Sequence, residues 1–154
     1  MPSYDPEFVG GTGFEIGLAV GQLFGIGKTL LSDEGYSRSI RFVLRNKVDE
    51  TLQWDNCHFE SGLWYPKSTP PNEVKPNTSA GWIAVYSQGM GGGTIEGSLW
   101  MKIDGGAQLN VDFLNKSLGD NWWRSYTNNE GRFIVDVNGD NEHDATVEIT
   151  IRYK

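Results

Sequence analysis

The sequence predicts an all-β fold, a sandwich of two packed β-sheets, on three observations. The chain has 154 residues, which fits one domain of ordinary size. Its 20 glycines are nearly twice the usual share of about 7%, and Phe, Trp and Tyr make up 12% of the residues. From residue 38 onward, apolar residues alternate with polar ones at the period of two that is typical of half-buried strands.

The predicted strands follow this alternation along the chain. Ile40, Phe42 and Leu44 share one face of the first strand. Asp104-Gly105-Gly106 predicts the turn of one hairpin, and Asn138-Gly139 predicts the turn of the last one. Roughly seven or eight strands result, at the spacing of a sandwich: residues 40–44, 52–59, 82–86, 95–103, 109–113, 122–126, 133–137 and 147–153.

An apolar N-terminal segment, residues 13–31, does not fit a sandwich. Glu15 and Lys28 are its charged residues, and glycine recurs at every fourth position from 13 to 25. Each glycine costs a surface helix about 1 kcal/mol relative to alanine, whereas small residues at this spacing let helices approach closely in lipid. The segment is therefore predicted to be a membrane-inserting helix that also oligomerises, through Gly13, Phe14, Gly17, Leu18, Gly21, Phe24 and Gly25. The alternative is a glycine-punctuated loop or strand lying against the sandwich.

The chain is thus divided into a flexible tail at 1–12, the apolar segment at 13–31 and a β-sandwich domain at 38–154. No signal peptide is expected, because Asp5 and Glu7 stand where such a leader would be basic. We therefore expect a leaderless protein that is cytoplasmic until it is released or secreted by a non-classical route, and that acts at a target cell membrane.

The charge balance limits the partners. The sequence has 13 Lys and Arg against 20 Asp and Glu, a net charge of −7, which argues against nucleic acid and against docking on anionic lipid. A membrane partner would be engaged through apolar contacts or zwitterionic headgroups.

Neither catalysis nor a cofactor is predicted. Cys57 and His58 are adjacent, so in a strand they point to opposite faces and cannot act as a nucleophile and its base. Asp136, Asn138 and Asp140 begin like a calcium loop but lack its glycine and its last glutamate, which leaves a weak metal candidate beside the favoured interpretation, a solvated turn.

Aromatic side chains are the candidate membrane contacts, because Trp and Tyr favour interfaces that are apolar on one side and wet on the other. The candidates are Trp64, Tyr65, Trp122, Trp123 and Tyr126. Packing inside the sandwich is the alternative role. Adjacent residues of a strand face opposite ways, so one of Trp122 and Trp123 is expected in the core.

Several short segments together resemble the actinoporins and the actinoporin-like and aegerolysin-like pore-forming cytolysins. The resemblance implies a monomer that adsorbs to membranes, releases an N-terminal helix and oligomerises into a pore. It places Ser61 at a headgroup-contacting position and Trp122 and Trp123 at the aromatic pair. The segments are Ser39–Asn46, Phe59-Glu60-Ser61-Gly62, 74–78 with 80–86, 93–99, and Asn121-Trp122-Trp123.

The favoured function is a pore-forming cytolysin, a toxin or hemolysin-like protein that adsorbs through aromatic residues and inserts its N-terminal helix on oligomerisation. A sphingolipid, another zwitterionic lipid or a glycan would be its receptor. One alternative is a lectin or lipid-headgroup-binding module, in which residues 13–31 stay packed on the sandwich. The other is a protein-interaction subunit of a toxin complex.

Overall fold

The computed structural model describes residues 8–10, 31, 33–87, 93–103 and 106–154, with backbone alone at 8–10 and 87. The predicted all-β sandwich of two packed sheets is confirmed. The strands are β1 (Phe8–Gly10), β2 (Tyr36–Asn46), β3 (Leu52–Ser61), β4 (Leu63–Trp64), β5 (Glu73–Val74), β6 (Ser79–Ser87), β7 (Ile95–Ile103), β8 (Ala107–Asn115), β9 (Trp122–Thr127), β10 (Phe133–Gly139) and β11 (Asp144–Tyr153).

The strands form a six-stranded and a five-stranded sheet. The six-stranded sheet has the order β1-β6-β2-β11-β10, with β4 also paired to β6, and the five-stranded sheet has the order β5-β3-β7-β8-β9. Two pairs are parallel, β1 with β6 and β11 with β2, and the others described are antiparallel.

The main core lies between the sheets and takes the apolar face that period two predicts on each strand. Phe42 is at its centre, stacked on Trp82 with ring centroids 5.5 Å apart and edge-on to Phe113 at 5.1 Å. Such aromatic pairs add about 0.5–1.5 kcal/mol each beyond the area they bury.

A second apolar cluster covers the outer face of the six-stranded sheet. Its buried members are Leu31, Val43, Tyr65, Ile83 and Val85. Residues 82–86 are consequently buried on both faces, as their continuous apolar character predicts.

The predicted hairpins are both present, but the second turn is misplaced. Gly106, at a φ of +94°, donates its N–H to Ile103 O and closes the β7–β8 hairpin where the sequence predicts it. Asn138-Gly139 is not a turn, and that prediction is wrong. These residues end β10 and pair with Glu148 and Val147.

Most of the N-terminal predictions fall outside the described residues. These include the predicted helix at 13–31, except for its last residue, and the glycine stripe from Gly13 to Gly25. Phe8–Gly10, within the predicted tail, pair with Ser79–Gly81 of β6. Leu31 is 2% exposed and belongs to the outer cluster. In the parts of the chain that the structure describes, we find no helix with the length and apolar character needed to cross a bilayer.

Candidate functional site: an apolar loop end and a polar groove

One end of the sandwich is formed by residues 93–94, 116–121 and 140–143, which connect neighbouring strands; we call it the loop end. Leu118 lies here with 87% of its surface exposed, and Trp122 follows at 46%. Large apolar side chains with this exposure, four positions apart in the sequence, mark a candidate contact surface.

Asn121 holds this loop in place. Its Nδ2 donates to Asp140 O and Glu142 O, and its Oδ1 accepts the Lys116 N–H. Because these bonds tie the β8–β9 loop to the β10–β11 loop, Leu118 is presented by a braced segment. The sequence indicated no such role for Asn121.

The side chains of β9 alternate between the two faces of the sheet, as strand geometry requires. Trp122, Arg124 and Tyr126 face outward, whereas Trp123 is half-buried and packs against the main core. The expectation that one member of the Trp122–Trp123 pair lies in the core is therefore met. The Arg124 guanidinium lies 5.1 Å from the Trp122 ring centroid and 5.7 Å from that of Tyr126, within cation–π range.

A groove of about 270 Å³ crosses the outer face of the five-stranded sheet next to Trp122. We call it the sheet groove. It is lined by His58, Glu60, Glu96, Gly97, Ser98, Asp112, Phe113, Leu114, Trp122 and Arg124. Strand register brings these residues together, because His58 is the partner of Ser98, Ser98 of Asp112, and Asp112 of Arg124.

Hydrogen bonds fix the polar side chains of the sheet groove. Asp112 Oδ2 accepts from Arg124 Nη2 at 2.7 Å and Nε at 3.2 Å, while its Oδ1 accepts the Ser98 hydroxyl at 2.6 Å. On the opposite side, His58 Nε2 lies 2.8 Å from Glu60 Oε1.

The remaining aromatic candidates pack against the two apolar clusters. Trp64 packs among core rings and donates its Nε1–H to Cys57 Sγ at 3.3 Å. Tyr65 is 1% exposed and donates its hydroxyl to Glu34 Oε2 at 2.8 Å; its pKa is raised, chiefly by burial. Trp64 is half-buried and Tyr65 is buried, and a membrane role for them stays a prediction. Ser61 is half-buried at the end of β3, paired with Glu96.

The two carboxylates of the weak metal candidate, Asp136 and Asp140, bind protein groups. Asp136 forms an ion pair with Arg152, and the Asp140 carboxylate accepts the Glu142 and Thr146 N–H groups. Within the described residues, we find no group of three or more His, Cys, Asp or Glu side chains placed to hold a metal ion.

The two packed sheets make this chain a β-sandwich protein. Comparison with solved structures agrees with that class. The chain is similar to the lipid binding protein Nakanori, with a TM-score of 0.67 and 12% identity over 86% of this chain and 80% of that one. IP-1A from Alcaligenes faecalis gives a TM-score of 0.61 at 12% identity, over 80% of this chain and 96% of that one. RahU in complex with TRIS gives 0.59 at 14%, over 77% and 97%.

These likenesses show the fold alone. No family model matches the sequence, and neither does any curated protein.

Proposed function

We propose that this protein binds lipid membranes through its loop end and acts as a pore-forming cytolysin. The observation that carries the proposal is the exposure of Leu118, on a braced loop, and of Trp122, where β9 begins after that loop. Transferring a leucine side chain from water to an apolar medium yields about 1.5–3 kcal/mol, and tryptophan favours the headgroup level of a bilayer.

Charge supports apolar docking. At a net charge of −7 the chain is repelled by anionic lipid, so the favoured receptor is a neutral membrane containing zwitterionic phospholipid or sphingolipid. The similarity in fold to a protein described as lipid binding adds support.

Permeation would follow adsorption. In the proposed second step, copies assemble on the membrane and insert residues 13–31, whose glycine spacing suits close helix packing in lipid. The protein would act at the membrane of a target cell. Binding and assembly, without an enzymatic step, constitute the proposed activity.

Flotation with vesicles of phosphatidylcholine, sphingomyelin and cholesterol tests the docking surface. Leu118→Asp should reduce the bound fraction at least tenfold, because it places a charge where the leucine would enter the bilayer. Gln53→Glu is the control. It also adds a negative charge at an exposed position, but near the start of β3, at the end of the strand away from the loop end, and should leave binding unchanged.

Two further comparisons define the orientation. Trp122→Ala should weaken binding more than Tyr126→Ala, because Trp122 adjoins the loop end and Tyr126 lies four residues further along β9. Parental binding that disappears at 1 M salt, or that survives Leu118→Asp, would contradict docking by the loop end. Binding without release of a trapped dye would leave lipid binding standing and refute the pore.

A further inference from the structure

We propose that the sheet groove is a sugar-binding site that takes one pyranose ring. The site goes beyond membrane docking, because it lies on the outer face of the five-stranded sheet and its polar side chains are separate from Leu118. The sugar would be either a free glycan or the headgroup of a glycolipid, since both present the same ring.

The size and walls of the groove suit a single small ring. Its volume of about 270 Å³ is just below the lower end, about 300 Å³, for pockets that take drug-sized ligands. Leu114 and Trp122 form an apolar wall, and the polar side chains lie on the remaining sides. A pyranose has the matching character, with C–H groups on its faces and hydroxyls around its edge.

Hydroxyl groups both donate and accept hydrogen bonds, and the groove offers both functions. The N–H groups of Arg124 that Asp112 leaves free supply donors, whereas the Asp112 and Glu60 carboxylates supply acceptors. Ser98 Oγ, whose proton goes to Asp112, can accept as well. Their mutual hydrogen bonds fix their positions before a ligand arrives, which lowers the entropy lost on binding.

Glu96 is the acceptor with most capacity left. It is exposed on β7 at the edge of the groove, and no hydrogen bond or ion pair joins it to a described residue. A carboxylate in this position can accept from two adjacent hydroxyls of a sugar, as it accepts two N–H groups of an arginine.

Other ligand classes fit less well. A phosphate would face three carboxylates and one guanidinium already paired with Asp112. A lone ammonium would match Glu96 but offers no acceptor to the N–H groups of Arg124 that Asp112 leaves free.

The test is an NMR titration of the intact, ¹⁵N-labelled protein. The indole N–H signal of Trp122 is identified by its loss in Trp122→Phe. The probes are glucose, galactose, mannose, N-acetylglucosamine, N-acetylgalactosamine and lactose, with phosphocholine and phosphoethanolamine as competing classes. We expect at least one sugar to shift the Trp122 signal saturably, and Glu96→Gln to weaken that binding about tenfold.

Glu73→Gln is the matched control, because Glu73 is also an exposed glutamate of the five-stranded sheet but lies outside the groove lining. Leu118→Asp should leave the sugar response unchanged, which separates this site from the docking surface. Vesicles carrying galactosylceramide or glucosylceramide, compared with the free sugars, identify the source of the ring. Absence of any saturable sugar shift, or a Glu96-dependent response to phosphocholine or phosphoethanolamine alone, would overturn the proposal.

Discussion

The indole of Trp123 lies directly over Gly139, where the outermost strands of the two sheets meet. A Cβ at Gly139 would overlap the indole Nε1, Cε2 and Cδ1 atoms. Trp123 belongs to β9 and Gly139 to β10, and nearby the Ser125 hydroxyl donates to Val135 O at 2.8 Å between the same strands. The missing side chain of Gly139 therefore allows this edge of the sandwich to close.

We expect Gly139→Ala to destabilise the protein by about 1–3 kcal/mol, the usual cost of overpacking. Elsewhere in a strand the same change would stabilise by about 0.5–1 kcal/mol, so the sign is diagnostic. Urea denaturation measures it. Gly131→Ala is the control, because the nearest atom to its Cβ would be Asn129 Oδ1 at 3.9 Å. Equal stability of the two variants would contradict the contact.

Asn115 should be the most sensitive polar residue of the core. It is fully buried, accepts from Arg38 Nη1 at 2.6 Å and donates to Ser39 O and His143 O at 3.0 Å. Asn115→Ala leaves these groups without partners, and we expect a loss of about 2–4 kcal/mol.

The same denaturation experiment on Asn56→Ala is its control, because Asn56 is exposed and its side-chain bond is to the neighbouring Cys57 N–H. A loss under 1 kcal/mol in Asn115→Ala would show that water replaces these bonds.

Glu34 should contribute to stability in a pH-dependent way. Its pKa is lowered from 4.5, first by the hydrogen bond from Lys67 and then by that from Tyr65. A lowered pKa means that the contribution is present above 4.5 and is lost as pH falls through the lower pKa of the folded protein. The stability difference between parent and Glu34→Gln should therefore shrink below pH 4.5.

Thermal melts between pH 3 and pH 7 measure this difference. The two ends of this pH range lie about 1.5 and 2.5 pH units from the ordinary pKa of glutamate. Lys67→Met should move the loss toward higher pH, because it removes the larger cause of the lowered pKa. Parallel curves for parent and Glu34→Gln would show that the contact contributes nothing.

The glycine stripe should matter for permeation and not for adsorption. Gly17→Leu with Gly21→Leu raises the apolar character and helix propensity of the segment but blocks close approach of helices. We expect vesicle binding to persist and dye release to fall. Parental dye release would show that the stripe is not a packing surface, and unfolding of the double variant would show that these glycines serve the sandwich.

The sequence was sufficient for the faces of the long strands. Ile40, Phe42 and Leu44 point into the main core as period two predicts, because burial on one face of a strand selects every second side chain. The turn at Asn138-Gly139 was wrong for a physical reason. Gly139 is required because the Trp123 indole packs where its side chain would be. This contact between strands of the two sheets cannot be told from turn chemistry in a single sequence.

The candidate site was only partly predictable. The sequence names Trp122 and Tyr126 because tryptophan and tyrosine favour membrane interfaces, and the structure exposes both, whereas Leu118 lies in a polar loop without periodicity. Their membrane role stays a prediction. The exposure of Leu118 depends on the bonds that Asn121 makes to a second loop. The sheet groove was missed because its residues come from four strands and are joined only by register.

The parallel pairing of β2 with β11 places β11 inside the six-stranded sheet, between β2 and the edge strand β10. Ser39 and Asp144, which are paired and hydrogen-bonded at 2.8 Å, are 105 positions apart. A growing chain on the ribosome thus cannot complete this sheet until β11 has emerged, so formation of the sheet should be slow. A chain that stops before Asp144 would leave one side of β2 unpaired. We expect cellular proteases to degrade such a chain before it reaches a membrane.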